Sequence, residues 1–372
     1  MPSRRRRRIL AVITAVFVIS VGSFVYADPD PLSTLAEAVP DKGQSDTLET
    51  TDRDTDESQP VADANPLELT FVDAGQADAI LLQKGDTDIL VDAGRSFSDE
   101  LEAAMDTISS SLDYLIITHP HLDHYGGAGD IVEQYDVERV ITNGERRGPP
   151  RDDEGSGVRW LEFEEQLQEA GLEVDAWSQS DEIEITDALT FDVLASGGDF
   201  ENTPAGTDIN DDSLVIMAQF AERRLLLSGD IEVAGGQLLV EEHCSGSADD
   251  CPALQADILK VPHHGSAHFH PEFFEAVDAE WAVFTADYDN TYGSHCLPRK
   301  ETVRALADTG AQLKSTNQDG GTNIVATINP DGTIPWDVDD PEVFAWETEG
   351  RNCDARLCDV EGDGDDLNCQ EY

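Results

Sequence analysis

Three histidines and one aspartate fall within six consecutive positions of this sequence, and all four side chains can bind a metal ion. They are His119, His121, Asp123 and His124, and they follow directly on the apolar run at residues 114–117. Residues i and i+2 of an extended segment face the same way, and a tight turn brings the next side chains to the same point. The chain has 9 histidines in all, so this concentration predicts a divalent-metal site rather than a polar loop with incidental histidines.

Two apolar runs farther along the chain also end in metal-binding side chains. Residues 225–230 read LLLSGD and end at Asp230, and residues 258–266 read ILKVPHHGS and contain His263 and His264. Ligands commonly lie just beyond the carboxyl ends of the strands in α/β sheets. We therefore predict that Asp230 and a member of the histidine pair complete the metal site.

Two further aspartates, Asp73 and Asp92, follow apolar runs near the start of the same region. Each has two interpretations: an ordinary turn residue, or a carboxylate that orients a ligating imidazole by accepting its second N–H. We favour the orienting role for both.

The apolar runs predict strands first, and strands mixed with helices later. Strands at 67–74, 79–84 and 88–93 are separated by Gly-containing turns, which predicts an antiparallel meander. Helices are then predicted at residues 98–110, 127–134, 158–170, 231–241 and 299–308. This order predicts an α/β (α+β) fold in which two sheets are covered by helices.

Six motifs occur in order between residues 67 and 330: VDAGQADAILL, ILVDAG, THPHLDHYGG, NDDSLVI, LLLSGD and KVPHHGS. Together they resemble the metallo-β-lactamase superfamily, and the combination of VDAGQ with HHGS resembles its ComEC-like branch of competence DNA-uptake proteins. The resemblance implies a hydrolase with a four-layer αββα sandwich, whose metal site lies at one edge between the sheets.

The resemblance also implies a site for one or two divalent metals and a division of the ligands between them. The implied ligands are His119 and His121 for one metal, Asp123, His124 and His264 for the other, and Asp230 as the bridge. His263 would then be available to meet the substrate or to protonate the leaving group.

Two departures from the family pattern affect the site. No histidine occurs between His124 and His243, where the superfamily supplies another ligand, so the first metal site is expected to be loose or to take oxygen from nearby polar side chains. The family's Tyr-Gly-His-Pro segment is also altered here. The resulting candidates for substrate contact or ligand support are Asn210, Asp211, Asp212, Ser266 and His295.

The chain is strongly acidic, with 23 Lys and Arg against 78 Asp and Glu and a formal net charge of -55. Concentrated salt reduces the repulsion among so many carboxylates, so this composition indicates a halophilic protein. The same charge argues against nucleic acid as a ligand, because proteins bind phosphate chiefly through Lys and Arg.

The first 27 residues predict export from the cytoplasm. Arg4 to Arg8 precede an uncharged apolar run at residues 9–27, which is typical of a signal peptide and is also just long enough for a membrane anchor. Both alternatives place the remaining chain outside the cytoplasm, either secreted or attached to the membrane.

Three further regions follow this leader: a polar, disordered linker at 28–64, the hydrolase domain at 65–338, and an acidic, cysteine-containing tail at 339–372. The 6 cysteines fit an oxidising location, and Cys244 and Cys251 bracket a short loop that a disulfide would close. The tail resembles a shortened excalibur-type calcium module. Its possible Ca2+ ligands are Asp359, Glu361, Asp363 and Asp365, although such clusters arise freely in an acidic protein.

These residues predict metal-dependent hydrolysis of an ester-like bond. Bound Zn2+, or Mn2+ as the alternative, lowers the pKa of water from about 15.7 to about 7. Asp123 would hold the metal, and Asp230 would orient the attacking hydroxide. The resemblance favours a phosphodiester substrate, with DNA as the expected example. The alternatives are a small phosphoester, an envelope ester or a lactone, and a non-catalytic envelope module with a relict metal site.

Overall fold

Two seven-stranded β-sheets form the centre of the protein in the computed structural model. The structure describes residues 65–108, 111–144, 156–197, 209–246, 250–286, 297–316 and 322–338, all of them within one unit of the chain. The predicted leader (1–27), linker (28–64) and tail (339–372) lie outside the described residues. So do His295 and the predicted calcium ligands Asp359, Glu361, Asp363 and Asp365.

The first sheet contains the predicted meander at its start. Its strands are β1 (Leu67–Phe71), β2 (Ile80–Lys84), β3 (Thr87–Val91), β4 (Leu112–Ile117), β5 (Val137–Thr142), β6 (Val174–Ala176) and β14 (Ile324–Ile328). They lie in the order β14-β1-β2-β3-β4-β5-β6. Strands β1 to β3 pair antiparallel, which confirms the meander, and β3 to β6 pair parallel.

The second sheet has the same division into an antiparallel and a parallel half. Its strands are β7 (Glu182–Glu184), β8 (Leu189–Ala195), β9 (Val215–Phe220), β10 (Arg223–Leu227), β11 (Ile258–Lys260), β12 (Trp281–Phe284) and β13 (Gln312–Ser315). They lie in the order β13-β12-β11-β10-β9-β8-β7. Pairing is antiparallel from β7 to β10 and parallel from β10 to β13.

Alternation along the strands explains why the sheets stack. In β10, Leu225 and Leu227 join the cluster between the two sheets, whereas Leu226 packs with the helices on the outer face. In β4, Ile116 faces the inner cluster and Leu115 faces outward. Successive side chains of a strand point to opposite faces, so a strand that is apolar throughout is buried on both faces.

Helices cover both outer faces and complete four αββα layers, as expected. The described helices are α1 (Asp99–Met105), α2 (Leu122–Tyr125), α3 (Ala128–Gln134), α4 (Ser156–Ala170), α5 (Val233–His243), α6 (Pro271–Val277) and α7 (Lys300–Thr309). Buried side chains of α1 to α4 pack on the first sheet, and those of α5 to α7 pack on the second. Within the described ranges, no helix is long and apolar enough to span a bilayer.

Several elements differ from the sequence-based expectations. The helix expected at residues 98–110 ends at Met105, where the Thr107 hydroxyl donates to the Ala104 carbonyl (2.7 Å). Strands β6, β7, β13 and β14 and helix α6 were not predicted. Strand β6 is exposed throughout and β7 nearly so, so neither carries the apolar run that marks a buried strand.

A disulfide joins Cys244 and Cys251, the pair that brackets the short loop, and their Cα atoms are 4.2 Å apart. It ties the end of α5 to the segment that leads into β11. Cys251 is fully buried among the side chains that α5 and α6 contribute to the outer cluster.

Candidate metal centre

The carboxyl ends of parallel strands from both sheets meet at one edge of the sandwich. Strand β4 ends just before His119, β10 ends three residues before Asp230, and β11 ends three residues before His263. The amide of Leu214 donates to the Thr118 carbonyl (2.9 Å) and links the two sheets beside the site. Segments that are distant in sequence therefore bring their polar ends together.

Two glycines allow the backbone to pass close to the site. A Cβ on Gly126, at the end of α2, would clash with the Arg95 carbonyl. Gly229 has a φ of +52°, and its Cβ would lie 2.6 Å from the Ser213 hydroxyl oxygen. Glycine alone fits both constraints, since it has no Cβ and adopts positive φ at little cost.

Asp230 is the centre of the cluster. Its Oδ2 lies 3.1 Å from His124 Nε2, 3.5 Å from His264 Nε2 and 4.0 Å from His263 Nε2. The Asp230 amide donates to the Ser213 hydroxyl (3.0 Å), which fixes the residue where β10 ends. One carboxylate oxygen thus faces three imidazoles.

His119 and His121 form a second part of the site. His119 Nε2 lies 3.0 Å from His121 Nδ1. On its other side, His119 Nδ1 contacts the hydroxyls of Thr118 and Ser213, each at 3.2 Å. Burial, followed by the nearby His124, lowers the pKa of His119 well below its usual value, so this imidazole stays neutral, as a metal ligand must be.

The donor set fits a divalent metal. Two groups of side chains, His119 with His124 and Asp230, and Asp123 with His124 and His264, bring ligand atoms within 4.8 Å of one another. The Nε2 atoms of His124 and His264 are buried and have no well-aligned hydrogen-bond partner among the described residues. Buried polar atoms are normally satisfied, so imidazole nitrogens that converge on a carboxylate indicate a metal site.

Asp92 contacts the ring nitrogen of His124 that does not face Asp230. Its Oδ2 lies 2.7 Å from His124 Nδ1, and its carboxylate accepts hydrogen bonds from the Thr118 amide and hydroxyl, both at 2.8 Å. A carboxylate on the second ring nitrogen fixes the orientation of a ligating imidazole. Although burial opposes the charged form, Asp230 and Asp92 together raise the pKa of His124 well above its usual value.

Two buried charges beside the cluster, Asp78 and Lys260, were missed in the sequence. Lys260 Nζ forms an ion pair with Asp78, donates to the Gly229 carbonyl (3.0 Å) and lies 3.4 Å from Asp230 Oδ1. Asp78 Oδ1 lies 3.3 Å from His264 Nδ1. The available signals were a lysine inside the apolar run before the histidine pair and an aspartate inside VDAGQADAILL.

A third residue that sequence reasoning missed, Glu232, holds His263. Glu232 Oε1 lies 2.8 Å from His263 Nδ1, and Oε2 lies 3.6 Å from His268 Nδ1. Burial would raise the pKa of Glu232, but its hydrogen bonds with the two imidazoles outweigh burial and lower it to about 2. Glu232 lies two residues after Asp230, a position that no apolar pattern marks.

The remaining predicted residues lie around the site in different roles. The Asp211 carboxylate accepts the amides of Glu232 and Gly235 and so caps the start of α5. The Asp212 carbonyl accepts the Asn143 side chain (2.7 Å).

Asn210 lies nearer the site, with Nδ2 3.2 Å from Glu232 Oε1 and 3.5 Å from His263 Nδ1. The Ser266 hydroxyl accepts the His268 amide (3.2 Å). The Asp73 amide donates to Asn323 Oδ1 (2.9 Å). The orienting role expected of the Asp73 carboxylate stays a prediction.

A family model for the metallo-beta-lactamase superfamily matches residues 72–268, just over half of the chain. The chain belongs to the metallo-beta-lactamase superfamily. Among curated proteins, it is 26% identical over 210 residues to ComE operon protein 3 of Bacillus subtilis (strain 168). That match covers 56% of this chain and 24% of the relative, so the chain spans about a quarter of that protein's length.

Solved structures of this fold resemble the chain at low sequence identity. The metallo-beta-lactamase fold protein YhfI of Bacillus subtilis is 13% identical with a TM-score of 0.43, and the match covers 71% of this chain and 99% of YhfI. The metallo hydrolase Igni18 of Ignicoccus hospitalis is 14% identical with a TM-score of 0.45, and the match covers 70% of this chain and 98% of Igni18. The family match and the ligand cluster identify the chain as a metal-dependent hydrolase by fold.

Proposed function

We propose that this protein is a metal-dependent phosphodiesterase that acts outside the cytoplasm. Metal-dependent hydrolysis is supported by one observation, the convergence of His124, His263 and His264 on one oxygen of Asp230. A bound divalent cation supplies Lewis acidity and makes hydroxide available near neutral pH. Zn2+ suits this mixture of imidazoles and carboxylates, and Mn2+ is the alternative.

The protein's own residues have distinct tasks in this proposal. Asp123, His124 and His264 hold one cation, His119 and His121 hold the other, and Asp230 faces both groups. Lys260 balances the negative charge of Asp78 and Asp230, and Asp92 keeps His124 in its ligating orientation. The arrangement fixes the ligands before substrate arrives, which reduces the reorganisation that the reaction requires.

An anionic substrate is supported by a partly exposed guanidinium beside the predicted metal ligand Asp123. Arg95 Nη2 lies 3.5 Å from Asp123 Oδ2, and the Arg95 side chain is 39% exposed. Arginine presents paired donors that match phosphate geometry. In a chain of net charge -55, a cation placed beside a metal ligand favours a phosphoester over a neutral ester.

The substrate class rests further on the ComEC-like motifs, and the similarity to ComE operon protein 3 agrees with them. These motifs favour nucleic acid as the diester. Export rests on the basic leader and apolar run at residues 4–27. Attachment to a membrane through that run is part of the same proposal.

The test is hydrolysis of bis-p-nitrophenyl phosphate by the full-length protein in concentrated KCl, with added Zn2+ or Mn2+. We expect activity that EDTA removes and that His121→Ala and Asp230→Asn abolish. His243→Gln, which alters a histidine at the end of α5 that contacts the Leu194 carbonyl (3.3 Å), is the control and retains activity. Unchanged turnover in both site variants would refute the proposal, and absence of bound metal would favour a non-catalytic envelope module.

A second candidate is hydrolysis of a small phosphoester, an envelope ester or a lactone. The acidic composition favours it, because a long polyanion must approach a surface of net charge -55. Turnover of single-stranded DNA should be compared with that of the small diester and of a neutral lactone. Cleavage of the small diester without cleavage of DNA would select this candidate. Arg95→Gln should reduce kcat/KM for the diester more than for the lactone.

A further inference from the structure

The first metal site lacks one ligand in the sequence. His119 and His121 are its only expected imidazoles, because no histidine occurs between His124 and His243. Zinc in proteins normally has four ligands. His119, His121 and the shared Asp230 supply three of them, and an imidazole from another position in the chain can supply the fourth.

His263 lies close to the shared ligand Asp230. Its Nε2 is 4.0 Å from Asp230 Oδ2, and two ligands of one zinc ion can be at most about 4.2 Å apart, twice the Zn–N distance. Its side chain is 24% exposed, whereas His264 is fully buried. The two neighbouring imidazoles thus approach Asp230 from a buried side and a more open side.

The backbone explains how adjacent residues both reach Asp230. His263 and His264 have φ values of 47° and 51°, a left-handed conformation that is strained for a non-glycine residue. An extended pair would send its side chains to opposite faces. The strained turn instead places both imidazoles within 4.0 Å of the same carboxylate oxygen.

Glu232 determines which nitrogen of His263 faces the cluster. Its carboxylate lies 2.8 Å from His263 Nδ1, and an ionised carboxylate can only accept a hydrogen bond. His263 Nδ1 therefore carries the proton, and Nε2 is the nitrogen that faces Asp230. A carboxylate that accepts from one nitrogen while the other binds metal is the usual arrangement behind a ligating histidine.

We propose that His263, positioned by Glu232, is the third imidazole ligand of the first metal and replaces the histidine that is missing after His124. This proposal rests on the proposed metal-dependent function and changes the role expected for His263 from the sequence. His263 binds metal rather than protonating the leaving group. Glu232 is a positioning residue that acts through His263.

The test measures metal binding, independently of turnover. The full-length protein and the variants His263→Ala, Glu232→Ala and Glu232→Gln are stripped with chelator and titrated with Zn2+ against a chromophoric competitor in concentrated KCl. We expect two equivalents in the wild type and one tightly bound equivalent in His263→Ala. Glu232→Ala should weaken only the weaker equivalent, by about 10–100-fold. Glu232→Gln, which keeps an acceptor oxygen, should weaken it less.

The control is His243→Gln, which should bind two equivalents with wild-type affinity. Two equivalents of unchanged affinity in His263→Ala would overturn the ligand assignment while leaving the metal-dependent function intact. A wild type that binds a single equivalent would overturn it as well. A wild type that binds neither Zn2+ nor Mn2+ would overturn the proposed function itself. Thermal unfolding of each metal-free variant separates loss of a ligand from loss of the fold.

Discussion

Replacing Lys260 by methionine removes a positive charge from a buried position between two carboxylates. Lys260 is 1% exposed; its Nζ forms an ion pair with Asp78 and lies 3.4 Å from Asp230 Oδ1. Methionine fills most of the volume of the lysine stem and has a similar flexible shape. The substitution therefore tests the charge rather than the packing.

The expected loss of unfolding free energy follows from the two carboxylates that remain. Removing one member of a buried ion pair destabilises a protein by about 3–5 kcal/mol, because the other charge is left uncompensated. In metal-free Lys260→Met, both Asp78 and Asp230 are affected, so we expect a loss in the upper part of this range. A bound cation compensates Asp230, so the loss should be smaller in the metal-loaded protein.

The assay is denaturant unfolding in concentrated KCl, with EDTA or with saturating Zn2+. Lys314→Met is a matched control, because Lys314 is also buried but donates to the Val338 carbonyl (3.0 Å) and lies over the Trp336 ring. Its loss should cost about 1–3 kcal/mol, independently of metal. An equal loss of unfolding free energy in Lys260→Met with and without Zn2+ would refute the idea that Lys260 and the metals both compensate the negative charge of the carboxylates.

Two further predictions concern metal affinity. Asp92→Asn should weaken Zn2+ binding by about 10–100-fold, because a neutral asparagine cannot hold the His124 imidazole as a charged acceptor does. Competition titration would measure the Zn2+ affinity, and an unchanged affinity would contradict the role of Asp92. The carboxylates around His124 raise its pKa in the metal-free protein, so the imidazole is protonated at neutral pH and must lose that proton to bind metal. Affinity should thus rise with pH up to that pKa, and calorimetry in buffers of different ionisation enthalpy should show proton release; its absence at neutral pH would contradict the shift.

The local parts of the fold and site could be predicted from the sequence. The meander at the start, the strand before His119 and the helices α3 and α5 follow from the spacing of apolar residues, which is a property of neighbouring positions. The ligand candidates His119, Asp230 and His264 follow in the same way, because each stands just after an apolar run. The structure brings all three together at one edge of the sandwich.

Other features depended on contacts between distant segments. Strand β14 pairs with β1 although more than two hundred positions separate them, and no local pattern encodes such a pairing. No apolar pattern marks Glu232, and Lys260 is marked only as a charge inside an apolar run, so the partners of both residues emerge only when β10 and β11 lie side by side. Asp211 likewise depends on a distant segment, because its carboxylate accepts the Glu232 amide and caps α5.

The sequence by itself determined which side chains can bind metal and which strands end beside them, because residue type and hydrophobic periodicity are local properties. Only the tertiary structure decided that a single oxygen of Asp230 faces three imidazoles, and that a buried lysine balances the carboxylates nearby. The physical reason is that electrostatic and coordination energies depend on distances of a few ångströms. Packing the two sheets face to face sets those distances between residues far apart in the chain.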